Sequence, residues 1–283
     1  MSAALELQPI ARRRLSLPLL GLLSGILVLA CLLLALLGPV LAPHPPGQIV
    51  SPTVFAAPSR VFPLGTDYLG RDMLSRLLVG ARYTVGTALP AALLASLLGT
   101  GLGMLAAVRG GLTDAVISRA MDTLISFPSL IFSLVIVAAL GSSLAVLVGT
   151  AAVIYMPGCY RIIRAVAVDI ETKDFVRAAR ARGERTSDIM RHEILPNIVT
   201  PVVTDFGLRF MFIVLLVSNL SFLGLGLQPP LSDWGGLVRE NLSGLSVGAP
   251  AVILPAVAIA VLTVSVTLLV DNLPGRKAAM RER

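Results

Sequence analysis

Residues 169–196 are the stretch of this sequence where side chains with chemistry crowd together. Lys173, Arg177, Arg180, Arg182, Arg185 and Arg191 are interspersed there with Asp169, Glu171, Asp174, Glu184, Asp188 and Glu193. Phe175, Ala178, Ala179 and Arg182 recur at helical spacing, which puts small and aromatic side chains on one face and charges around the other. Gly183 can stop that helix in a left-handed conformation. Thr186 or Ser187 can cap a second helix carrying Ile189, Met190 and Ile194, which Pro196 ends. Such a helix–glycine–helix knuckle is too polar to cross a membrane and too small to bury a core alone. Its chemistry is recognition, and it suits a groove on another protein.

Few other residues invite a chemical role. Asp205 and Arg209 stand four apart inside an apolar run, so they share a helical face and can pair. Charge inside hydrocarbon is rare and marks function by default. The pair fits a transport path that meets a ligand's charged ends, or an internal pair that settles a helix near the interface. Asn219 carries the same two readings, a path-lining amide or a helix–helix hydrogen bond. Cys31 and Cys159 both lie in apolar runs, and no disulfide is expected. His44 and His192 stand far apart and suggest no metal site. No GxxxxGK[ST] occurs, so any ATP used must be bound by another subunit.

The elements that position these residues follow from composition. The chain has 283 residues, 55% hydrophobic and only 14% charged, against roughly 25% charged in soluble domains. Its apolar runs approach about 20 residues, enough to span hydrocarbon as helix. The reading is an all-α polytopic membrane protein. A first run at 19–41 is longer than a signal-peptide core and is expected to stay as a spanning helix. A proline-rich segment, 42–83, follows; Thr66 or Asp67 is expected to cap a short amphipathic helix with Leu69, Met73, Leu74, Leu77 and Leu78 on one face and Arg71, Asp72 and Arg76 on the other. Five further spans are expected at about 84–108, 123–140, 144–163, 198–220 and 249–270. Gly99, Gly101 and Gly103 permit close packing of the second. Asp114, Ser118, Asp122 and Arg119 read as an interfacial charge pattern before the third, and Pro157 as a kink in the fourth.

Six spans put both termini on one side. With the N-terminal segment 1–18 and the tail 272–283 inside, 17 of the 23 basic residues fall on inner segments, so the positive-inside rule places the knuckle in the cytoplasm. The net charge of +7 therefore reads as topology and not as a nucleic-acid surface. A secondary transporter or channel would show inverted repeats and ionisable residues near the midplane; no repeat is present, and the largest polar feature is outside the bilayer. A membrane-embedded enzyme would need a nucleophile–base or metal-ligand set, and none is found.

The knuckle resembles the EAA loop by which type I ABC importers dock their ATPase. Arg177-Ala178-Ala179 precedes Gly183, and Ile194-Leu195-Pro196 closes the segment; Arg177 stands where that family carries its glutamate. Three further segments resemble the dipeptide/oligopeptide/nickel branch, in its second permease subunit: PLGTDYLGRDMLSRLLVGAR at 63–82, ISFPSL at 125–130 and SFLGLGLQPPLSDWGGLV at 221–238. The resemblance implies the type I importer transmembrane fold over about 80–271, in a bacterial inner membrane. It implies a sister permease, two cytoplasmic ATPase subunits and a periplasmic solute-binding protein as partners, with no ATPase site in this chain. The docking helix would be about 172–182, with Phe175, Ala178, Ala179 and Gly183 fitting closely. Relatives carry peptides, nickel chelates, opines, glutathione or sugars.

Overall fold

The computed structural model describes residues 17–272; the arginines at 12–14 and the basic tail beyond 272 lie outside them. The described residues form helices and loops, with two isolated antiparallel bridges, Ile49 with Arg71 and Thr66 with Asp72. The helices are α1 (Leu17–Leu41), α2 (Met73–Arg109), α3 (Gly111–Ile125), α4 (Ser129–Leu140), α5 (Leu144–Glu171) and α6 (Asp174–Ala181). A single turn, α7 (Thr186–Asp188), and a π-helical stretch, Ile189–Ile194, lead into α8 (Leu195–Phe222); α9 (Trp234–Glu240) and α10 (Pro250–Asp271) complete the chain. Five segments are long and apolar enough to cross a membrane, and α3 with α4 makes a sixth if that bent pair is one span.

Small residues draw the centre of the bundle together. Gly99 and Gly103 lie one turn apart on α2, facing α5. A Cβ on Gly99 would stand 2.7 Å from Cβ of Cys159, and one on Gly103 3.1 Å from the carbonyl oxygen of Tyr160. Only glycine lets the two backbones approach this closely. Gly101, read with them, faces open space.

Two elements depart from the sequence reading. The expected third span is broken: α3 and α4 meet at 84°, because Pro128 has no N–H and drives the residue before it out of the helical region. α4 alone, with 12 residues, is about 18 Å long and too short for the hydrocarbon layer. The stretch from Gly111, read as loop and helix start, is helical because its polar side chains meet α5. Arg164 Nε and Nη2 each donate to Asp114 at 2.5 Å, the Ser118 and Tyr160 hydroxyls lie 2.7 Å apart, and Arg161 Nη2 reaches Asp122 at 2.6 Å.

The second departure is at the opposite end. No separate amphipathic helix begins at Thr66 or Asp67. α2 starts at Met73, with Asp72 as its cap accepting from the Ser75 amide at 3.2 Å, and runs unbroken for 37 residues into the second span. Asp67 is buried instead. Its carboxylate accepts from the Leu69 and Arg71 amides (2.9 and 2.8 Å), from Arg71 Nε (2.6 Å) and from Arg76 Nη1 (2.7 Å). Glu240, on α9, accepts from the same two arginines at 2.9 and 2.8 Å, and the Ser232 hydroxyl joins both Arg76 and Glu240. The supposed polar face is thus turned inward, because its counter-charge comes from a helix more than 160 residues away in sequence.

α9 is held by its first residues. The Trp234 amide donates to Thr84 Oγ1 and its indole Nε1 to the Leu77 carbonyl, both at 3.0 Å. Asp233 caps the helix, accepting from the Gly236 amide at 2.8 Å and the Ser221 hydroxyl at 2.7 Å. Burial raises the Asp233 carboxyl to about 6 from an ordinary 3.8. The folded chain therefore holds a proton there that the unfolded chain releases. The stability this adds is full below about 3.8 and is lost as the pH rises through about 6. Glu240 is also desolvated, but its arginine partners leave it below the usual carboxylate range, so its contribution fails only at lower pH. The unfolding temperature of the detergent-solubilised protein should fall by several degrees between pH 4.5 and 6.5. Asp233→Asn should flatten that slope.

Candidate docking loop and intramembrane pair

α6 is two-faced. Val176 and Ala179, three apart, are fully buried with Met104 and Val108 of α2, Ile163 and Ala167 of α5, and Ile189, Ile194 and Ile198 beyond the turn. Asp174, Phe175, Arg177, Ala178, Ala181 and Arg182 face outward, and Phe175 leaves 42% of its surface uncovered. The expected shared face of Phe175, Ala178, Ala179 and Arg182 is therefore split: Ala179 points in and the other three out. The helical period was legible, but which stripe the bundle would cover was not. The Val176–Ala179 spacing is the signal that identifies it.

Gly183 closes α6 with φ +81°. Its amide donates to the Arg180 carbonyl at 2.9 Å, and the Glu184 amide donates back to Ala179 at 3.2 Å. Arg182 Nη2 pairs with Glu184 Oε1 at 2.6 Å across the turn. The next helix starts without a side-chain cap from Thr186 or Ser187, and Pro196 does not end it. A proline ring in an α-helix clashes with the carbonyl four residues back. Here the wider π turn carries the chain past that clash, with the Leu195 amide donating to Met190 five residues back, and the helix continues into α8. Ile194 is buried, Leu195 half-buried and Pro196 exposed.

Asp205 and Arg209 pair within α8. Arg209 Nη2 and Nε donate to Asp205 Oδ1 at 2.8 and 3.1 Å, and Asp205 is 1% exposed. The guanidinium lies over Gly158 of α5, where a Cβ would stand 2.5 Å from Nη1. Asn219 is not brought to this pair. It lies ten residues on, about 15 Å along the helix, on an exposed groove with Leu215, Phe222, Val238 and Ala256.

Residues 99–278 match the family described as binding-protein-dependent transport system inner membrane component. The chain belongs to that family. It is a permease subunit of an ATP-driven importer of the inner membrane. Among its relatives, a glutathione transport system permease protein of Pectobacterium atrosepticum is 33% identical over 76% of this chain and 72% of its own length. A di/tripeptide transport system permease protein of Pseudomonas aeruginosa is 33% identical over 89% and 84%. A peptide transport system permease protein of Escherichia coli is 37% identical over 75% and 71%. In fold the permease is similar to the inward-facing MetNI methionine ABC transporter, with a TM-score of 0.57 at 17% identity, over 70% of this chain and 94% of that one. Membership in the family implies ATPase and solute-binding partners.

A side chain at Gly183 meets no atom within 4 Å, so a substitution there acts through φ alone. Leu in a left-handed conformation costs about 1–2 kcal/mol, and Asn less. Gly183→Leu should therefore insert normally in the membrane but expose the 183–184 bond to limited proteolysis faster than Gly183→Asn does.

Proposed function

We propose that this permease imports peptides or a peptide-like solute such as glutathione, received from a periplasmic binding protein, with α6 docked on a cytoplasmic ATPase. One observation carries the docking assignment. α6 has an inner face built into the bundle and an outer face, with Phe175, Arg177, Ala178 and Arg182, that stays exposed among the described residues. An exposed aromatic ringed by arginines suits a groove with apolar walls and an acidic rim. The excess of basic residues on the same segments supports a cytoplasmic position for the loop and for both termini. The names of the relatives support a peptide-like cargo, and the family's organisation supports a sister permease as the second half of the path.

In this reading ATP-driven closure of the ATPase pair moves the docked loops, and the helices attached to them pass between inward- and outward-open arrangements. Only differential contacts of ATP and cargo with the two states drive that exchange. Phe175→Asp should insert normally but lose the ATPase subunits on co-purification; retention at wild-type stoichiometry would rule the docking face out.

The Asp205–Arg209 pair is the candidate contact for a ligand's charged ends. Its burial against Gly158 favours a second reading, in which it fastens α8 to α5. Arg209→Met separates the two. A path role requires uptake to vanish at normal membrane abundance, whereas a fastening role lowers abundance and thermal stability in step with uptake. Normal uptake sinks the path role.

A further inference from the structure

Arg180 lies within the docking helix expected over about 172–182, and its side chain, though 44% exposed, reaches back from α6 to the ends of two spanning helices. Its Nη2 donates to the carbonyl of Val108 at 2.6 Å and pairs with Glu171 at 2.7 Å. Val108 is the penultimate residue of α2, and Glu171 is the last of α5. A helix leaves its final four carbonyls without partners of its own. The Ala106 carbonyl is taken by the Gly110 amide, while the one at Val108 accepts from Arg180. A cation there also meets the negative end of the helix dipole. One side chain of the docking helix thus holds the ends of two spanning helices. The apolar packing beneath it is non-directional, whereas a charged hydrogen bond to a backbone carbonyl constrains both distance and angle.

The helix so held is one of the two longest continuous helical stretches among the described residues. α2 runs 37 residues, about 55 Å, and Pro90 inside it does not interrupt it. Its far end carries Arg76, buried among Asp67, Glu240 and Ser232. A pull on Val108 therefore acts on a continuous rod whose other end is bound to α9.

We propose that Arg180 is the positioning residue through which movement of the docking helix enters α2, and so reaches the opposite side of the membrane. The proposal rests on α6 being the ATPase contact.

The test uses the complete complex, with partner permease, ATPase subunits and binding protein, in proteoliposomes. Arg180→Ala and Arg180→Lys are compared by ATP hydrolysis and by uptake of labelled alanyl-alanine and of glutathione. A ligand-free readout runs in parallel: the distance between spin labels at Leu97→Cys on α2 and Val257→Cys on α10, before and after ATP with vanadate. Arg180→Ala should keep its ATPase subunits and hydrolysis within about twofold, lose uptake by about tenfold, and lose the ATP-dependent change in label distance. Lysine, which can donate to the same carbonyl, should restore most of both. Wild-type uptake and label movement in Arg180→Ala overturn the proposal. So does loss of the ATPase subunits, which would make Arg180 a docking residue. A wild-type complex that takes up neither probe, while its label movement still depends on Arg180, overturns the peptide reading and supports this one. Retention of the ATPase by Phe175→Asp overturns the docking reading and this proposal with it.

Discussion

The cluster of Asp67, Arg71, Arg76 and Glu240 is the constraint on which the end of the molecule around α9 depends. Two acids and two arginines are largely removed from water together, with net charge zero and each arginine bonded to both acids. Desolvating four charges costs several kcal/mol each, and only close mutual pairing and added hydrogen bonds offset it. The balance is all-or-none: a missing member leaves an uncompensated charge in a dry site. That condition forces the proline-rich segment, the start of α2 and α9 to be present together. It also explains why α2 begins where it does. Arg71 and Arg76 must both reach Asp67, which leaves Asp72 to cap the helix.

The opposite end is built on another principle. There the contacts are apolar, through Val176, Ala179, Ile189 and Ile194, with charges kept at the rim and more than half exposed at Arg177 and Arg182. Surface pairs of this kind contribute little to stability, so their charge is free to serve recognition. One end is fixed by paired charges in a dry interior, and the other rests on apolar packing fastened at its edge by Arg180.

What could be read from the sequence follows the range of the forces involved. The spanning runs and the left-handed Gly183 depend on neighbours a few residues away and could be read locally; Gly99 and Gly103 could be read as permitting close packing, but not that α5 is the helix they meet. The counter-charge of Asp67 and Arg76 lies at Glu240, so Arg71 and Arg76 read as solvated when they are buried. Phase was lost for a similar reason in α6: period comes from the helix, but which side is covered depends on α2 and α5. Pro196 read as a stop because a proline normally is one, and the π turn that carries the chain past it has no composition of its own. Pro128, at a break of the third span, was a signal present in the sequence and passed over because the apolar run continues through it.

The bend between α3 and α4 has a consequence for the life of the protein before assembly. At Ser126–Pro128 the helical hydrogen-bonding pattern lapses, and α4 starts without a side-chain cap. Its first amides have no partner within the helix, and hydrocarbon supplies none, at a cost of several kcal/mol for each such group. A lone copy in the lipid would bear that penalty in full until another protein surface or trapped water covered the bend.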